Sequence, residues 1–209
     1  LFFTNKGKLY RLRGYEIPEA GRTAKGTAIV NLLSLDAGEK VSAVIPIQNF
    51  AEGKYLLMAT KNGLIKKTAL TEYNSSRKTG LQGITLKEND ELIEVRLTDG
   101  QDNVVLVTKN GMCITFDEKD VRPIGRVAQG VIGINLDDDD EVIGMASIIA
   151  GGQATLLTIT ENGFGKRTDL NEYRGKTIEV KIIEYNPEKR KIVGSARKVV
   201  KELRDLKQA

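Results

Sequence analysis

The feature that most constrains this chain is a four-residue marker that recurs along it. The marker reads Thr4-Asn5-Lys6-Gly7, Thr60-Lys61-Asn62-Gly63, Thr108-Lys109-Asn110-Gly111 and Thr160-Glu161-Asn162-Gly163. An apolar run precedes each copy, as in Tyr55 to Ala59 and Val104 to Val107. A strand-like stretch follows each, as in Leu64 to Thr68 and Met112 to Phe116. Strand, polar turn and strand together predict a β-hairpin. Asn-Gly suits a two-residue turn in which both central residues take positive φ. The first copy keeps only the glycine.

A second marker follows each hairpin: Lys25-Gly26, Gln82-Gly83 and Gln129-Gly130. Strand-like runs come next, over 28–33, 84–86 and 131–136. An acidic turn then leads into a closing strand at Glu39-Lys40-Val41, Asp90 to Ile93 and Asp140 to Gly144. The spacing predicts four units, about 1–50, 51–100, 101–150 and 151–199, each with about four short strands. Four strands per roughly 50 residues is the signature of propeller blades. One such sheet cannot bury both faces alone, so the blades must stack. A β-sandwich would explain the strand count but not the repeated marker. The fourth unit has a shortened loop before Gly175, yet its Ile192-Val193-Gly194 matches Val142-Ile143-Gly144. The expected fold is therefore all-β, with propeller-like blades over 1–199. Val199, Val200, Leu203 and Leu206 fall near one helical face, which predicts a short C-terminal helix and a tail over 200–209.

Composition removes several kinds of chemistry. There is no histidine, which excludes Ser-His-Asp and Cys-His catalysis and His-ligated metals. Cys113 is the single cysteine, so no internal disulfide or Cys-rich zinc site can form. It lies in an apolar run and reads as a small core residue. No G-x-x-x-x-G-K-[ST] phosphate loop occurs, and no carboxylate, lysine or tyrosine pair has a diagnostic spacing. No catalytic residue, cofactor or metal is expected. There is no apolar run long enough for a membrane span and no signal-peptide pattern, so a cytosolic protein is expected. The net charge is +4.

The stretches Tyr15 to Ala20, Ile29 to Leu33, Met58 to Thr60, Thr71 to Tyr73 and Asn162 to Tyr173 resemble the C-terminal domain of DNA gyrase A. The resemblance runs from about Leu1 to Val199, and the corresponding domain of topoisomerase IV is a close relative. It implies a β-pinwheel whose basic outer rim binds and bends double-stranded DNA, supporting supercoiling. It also implies that catalysis resides elsewhere. The cleavage tyrosine belongs to an N-terminal domain, and ATP hydrolysis belongs to the gyrase B subunit, the partners in the intact enzyme. The family's Q-R-R-G-G-K-G box, needed there for wrapping, is missing. Its nearest counterpart is Gly21-Arg22-Thr23-Ala24-Lys25-Gly26. Such domains usually have six blades, whereas four units are present. The chain starts within an apolar run, as expected of a piece of a longer protein.

Phosphate neutralisation by lysine and arginine supplies most DNA affinity, largely without reading sequence. The candidate DNA-binding residues recur from unit to unit. They are Arg11, Arg13, Arg22 and Lys25; Lys66, Lys67, Arg77 and Lys78; Arg122 and Arg126; and Lys166, Arg167, Arg174 and Lys176. Few aromatics accompany them, which favours duplex contact over base stacking. Tyr73 and Tyr173 occupy equivalent positions and are expected to pack between blades. The acidic run Asp137 to Glu141 reads as a solvated hairpin tip, or as a competitor of DNA for the basic rim. Two other readings stay open. One is a protein-interaction propeller binding an acidic partner. The other is an RNA-binding module, suggested by the S1-like hairpin over 178–196.

Overall fold

The computed structural model describes residues 1–75, 80–149, 155–159, 163–169, 172, 178–179, 182–186 and 191–194. The first repeat supplies strands β1 (Phe2–Thr4), β2 (Lys8–Tyr10) and β3 (Val41–Val44). The second supplies β4 (Tyr55–Thr60), β5 (Leu64–Ala69), β6 (Leu81–Gln82) and β7 (Leu92–Thr98). The third supplies β8 (Asp102–Thr108), β9 (Met112–Asp117), β10 (Val131–Ile132) and β11 (Val142–Ile149). The fourth supplies β12 (Thr155–Ile159), β13 (Gly165–Asp169), β14 (Ile178–Glu179), β15 (Ile182–Asn186) and β16 (Lys191–Gly194). The described residues are all-β apart from short 3-10 turns.

Three antiparallel four-stranded sheets form, in the orders β3-β1-β2-β6, β10-β5-β4-β7 and β11-β8-β9-β14. The sheets do not coincide with the sequence repeats. In each, one edge strand (β6, β10 or β14) comes from the following repeat. The hairpin glycine receives that strand. The Gly7 carbonyl accepts bonds from the N–H groups of Gly83 (2.8 Å) and Ile84 (3.2 Å). The Gly63 carbonyl does the same for Gly133 (2.9 Å) and Ile134 (3.3 Å). A Cβ at Gly7 or Gly63 would stand 2.7 Å from the carbonyl oxygen of Ile84 or Ile134, respectively. Glycine is thus required twice over, by positive φ and by close approach. This pairing also corrects the alignment of the second marker. Gly83 corresponds to Gly133, and Gly80 to Gly130.

The hairpin turn differs from the two-residue form expected. Gly63 N–H bonds the Thr60 carbonyl at 3.1 Å, and Gly63 has φ +84°, while Asn62 keeps a negative φ. This is a three-residue loop with the glycine alone left-handed. It explains how lysine can replace asparagine at position 6. Two further expectations change. The run 28–33 forms a 3-10 turn at Ile29–Asn31 rather than a strand. The fourth unit does not form its own four-stranded sheet among the described residues: β12 pairs with β13, β14 joins β9, and β15 pairs with β16. The expected helix over Val199–Leu206 lies outside the described residues.

The chain divides into two compact units, Leu1–Gly100 with Val121–Leu136, and Gln101–Asp120 with Asp137–Ala209. The first unit has a core of Phe3, Leu9, Ile45, Leu56, Met58, Leu70, Tyr73, Ile84, Leu92 and Val95. Tyr73 fills the packing role expected of it. Its ring meets Phe3 edge-on with centroids 6.2 Å apart, and its hydroxyl donates to the Gly83 carbonyl at 3.1 Å. Burial raises the Tyr73 phenol well above its ordinary pKa. Tyr173 lies outside the described residues. In the second unit, Cys113 packs with Val105, and burial pushes its thiol up to about 12, as suits an inert core residue.

Candidate nucleic-acid interface

The longest exposed stretch of the first unit runs over 13–28. The backbone hydrogen bonds within it are local. Arg13 N–H bonds Glu16 Oε2 at 2.7 Å around a 3-10 turn at Gly14–Glu16. Further on, Ala24 N–H bonds the Gly21 carbonyl at 2.9 Å. That β-turn carries Arg22 at its first central position, with Lys25 just after it. Gly26 follows with φ +74° and no atom within 4 Å of a would-be Cβ. Arg13, Arg22 and Lys25 are all exposed. The stretch thus offers cations and open backbone together, which is what a phosphate oxygen needs. Glu16 and Glu19 are its two carboxylates.

Arg11 is half-buried at the start of this stretch. Its guanidinium lies 5.0 Å from the centroid of the Phe50 ring, and Nη1 donates to the Ser75 carbonyl at 3.2 Å. Arg122 is exposed. Arg126 is half-buried; its N–H bonds Glu72 Oε2 at 2.8 Å and its guanidinium donates to the Gln82 carbonyl. In the second unit, Arg167 is exposed and Lys166 half-buried. Arg77, Lys78, Arg174 and Lys176 lie outside the described residues.

Lys66 and Lys67 are withdrawn from the surface, contrary to their expected exposure. Lys66 is 0% exposed and Lys67 4%. The segment 121–130 crosses over them: Pro123 bridges to Lys67, and Ile124 N–H bonds the Lys67 carbonyl at 2.8 Å. Lys66 Nζ donates beneath it to the carbonyls of Gly83 (2.8 Å) and Arg126. Lys67 Nζ sits 5.5 Å from the Tyr55 ring centroid. Burial lowers the Lys66 pKa to about 8, against an opposing pull from Glu72, with Arg126 adding to the lowering. Lys66 is therefore a structural cation, and its two carbonyl contacts tie Gly83, just past β6, and the covering segment 121–130 to β5. Sequence reasoning missed this role. A signal existed, because alignment on the marker glycine puts Lys66 in one column with Tyr10, which is 2% exposed.

The acidic run of the third repeat is partly structural too. Asp140 Oδ1 accepts the N–H groups of Asn110 and Glu141, each at 2.9 Å. Asp90 Oδ1 does the same for Asn62 and Glu91. Burial pushes the Asp140 carboxyl up, but bonds from the Thr108 hydroxyl and the two N–H groups outweigh it and hold the pKa below its ordinary value. No cluster of three or more Cys, Asp or Glu suited to a metal lies among the described residues.

The family model for the DNA gyrase C-terminal domain, a beta-propeller, matches residues 1–48, 54–99, 102–149 and 154–177. The chain belongs to the gyrase A C-terminal domain family. It is 44% identical over 192 residues to the DNA gyrase A protein of Salmonella typhimurium, covering 89% of this chain and 22% of that protein. It is 43% identical over 175 residues to the Staphylococcus aureus counterpart, covering 83% and 20%. The chain thus spans about a fifth of the length of these relatives. A crystal structure of the C-terminal domain of DNA topoisomerase IV matches with TM-score 0.78 and 33% identity, over 93% of this chain and 62% of that one. A gyrase A C-terminal domain matches with TM-score 0.68 and 27% identity, over 86% and 56%. The β15–β16 hairpin lies beyond the last residue matched to the family model.

Proposed function

We propose that this gyrase-family domain binds and bends double-stranded DNA and has no catalytic role of its own. The observation that carries the reading is the exposed stretch 13–28. It presents Arg13, Arg22 and Lys25 beside a β-turn and an unobstructed glycine. Arg122 and Arg167 add exposed cations in the first and second units. In a full-length protein the domain would serve DNA supercoiling together with the rest of gyrase A and with gyrase B. Lys66 and Lys67 belong to the fold and leave the interface. Bending follows from backbone contact with deformable duplex and needs no base readout.

Fluorescence anisotropy with a labelled duplex of about 40 base pairs, titrated with salt, tests this. Each neutralised phosphate contributes about −0.9 to the slope of log K against log salt. Binding that weakens steeply with salt supports the reading. Negligible binding at low salt, or affinity indifferent to salt, contradicts it. Tighter binding of single-stranded RNA than of duplex would transfer the function to the hairpin over 178–196.

A further inference from the structure

One turn occurs twice in the first unit. Gly21-Arg22-Thr23-Ala24-Lys25-Gly26 and Gly125-Arg126-Val127-Ala128-Gln129-Gly130 share their spacing of glycine, arginine and alanine. Ala24 N–H bonds the Gly21 carbonyl at 2.9 Å, and Ala128 N–H bonds the Gly125 carbonyl at 3.1 Å. The closing glycine is left-handed in both, with φ +74° at Gly26 and +109° at Gly130. Arg126 is therefore the counterpart of Arg22, at the first central position of its turn.

The second copy is docked on its neighbours through main-chain groups. Arg126 N–H bonds Glu72 Oε2 at 2.8 Å, and Lys66 Nζ donates to the Arg126 carbonyl. The Thr85 hydroxyl donates to the Val127 carbonyl at 2.6 Å, and Thr85 N–H bonds the Ala128 carbonyl at 3.3 Å. The Arg126 guanidinium is tethered as well, by a surface contact with the Gln82 carbonyl. A guanidinium carries more N–H donors than one carbonyl takes, so its outer edge can still meet an anion. Ordering a long side chain is a cost of binding, and in this turn the fold has already done the ordering.

We infer that Glu72 and Lys66 are positioning residues for duplex binding: by holding the N–H and the carbonyl of Arg126, they set its guanidinium for a DNA phosphate. The inference rests on the duplex-binding reading above. Neither residue touches the phosphate. Their charges are opposite, which separates positioning from simple electrostatics. Removing the Glu72 carboxylate takes a negative charge from a DNA-binding surface, and by charge alone that tightens binding. Positioning predicts the reverse.

Duplex anisotropy at one salt concentration tests this in variants of the full chain. Glu72→Ala should weaken binding about 3- to 10-fold, the range expected for leaving one long side chain unordered. Glu72→Gln, whose amide oxygen can still accept the Arg126 N–H, should bind at least as tightly as the parent. Lys66→Met should weaken binding about as much as Glu72→Ala. In an Arg126→Ala background, Glu72→Ala should cause no further loss. Hydrogen exchange at the Arg126 amide should quicken in Glu72→Ala and not in Glu72→Gln, a reading that needs no DNA. Glu72→Ala binding as tightly as the parent, or more tightly, would overturn the inference. So would a loss that persists without the Arg126 side chain, or unchanged amide exchange. Those results leave the duplex-binding reading standing. A parent chain that does not bind duplex contradicts that reading and overturns the inference with it, before any variant is compared.

Discussion

Lys66 is a cation enclosed by backbone carbonyls, and its energetics can be read by titration. Its folded pKa, about 8, lies below its ordinary value of 10.5. Between those values the unfolded chain holds one more proton than the folded one. Stability therefore rises with pH across that window, and keeping Lys66 charged below pH 8 carries a cost of about 1–3 kcal/mol. Denaturant unfolding from pH 7.5 to 10 should show this rise, and Lys66→Met should flatten it. Two left-handed glycines, Gly38 in the turn before β3 and Gly63 in the β4–β5 hairpin, give a second contrast. Gly38 has φ +73° and open space, so Gly38→Ala should cost about 1 kcal/mol for backbone strain alone. Gly63→Ala adds a collision with the Ile134 carbonyl and should cost roughly 2–4 kcal/mol. Equal losses on thermal unfolding would show that the carbonyl can move aside. The marker glycine Gly63 was legible in the sequence, but the enclosure of Lys66 was not. Two adjacent lysines on a short strand read as solvent-facing, and the segment that covers them comes from some sixty residues further along.

Among the elements, hairpins were readable because apolar run, turn and apolar run are local signals. The destination of β6, β10 and β14 was not, because a two-residue strand carries no periodicity to say which hairpin it joins. The acidic turns show the same limit. Asp90 and Asp140 read as parts of charged runs, yet each accepts one N–H from the tip of its repeat's hairpin, at Asn62 or Asn110, and one from the residue that follows it. Asp140→Ala should cost about 1–2 kcal/mol, since it leaves two N–H groups without their acceptor. Because the Asp140 pKa is depressed in the fold, its charge-dependent stabilisation is present above the ordinary carboxylate range and lost as pH falls through the folded value. Acid unfolding of the variant should accordingly be shallower below about pH 4.

For the molecule as a whole, repeat length and marker residues were enough to indicate propeller-like blades, and the resemblance of stretches such as Tyr15 to Ala20 indicated the gyrase family. They could not indicate which basic residues face solvent. A column of cations in aligned repeats mixes exposed residues such as Arg167 with enclosed ones such as Lys67. DNA binding is therefore expected to concentrate on the exposed stretch 13–28 and not on β5. The most direct test is the salt dependence of duplex affinity in the parent chain and in Arg13→Ala/Arg22→Ala/Lys25→Ala. The parent slope should be about −4 or steeper, and the triple variant should be shallower by up to about 2.7, at about 0.9 per lost phosphate contact. A triple variant with the parent's slope and affinity would contradict the assignment.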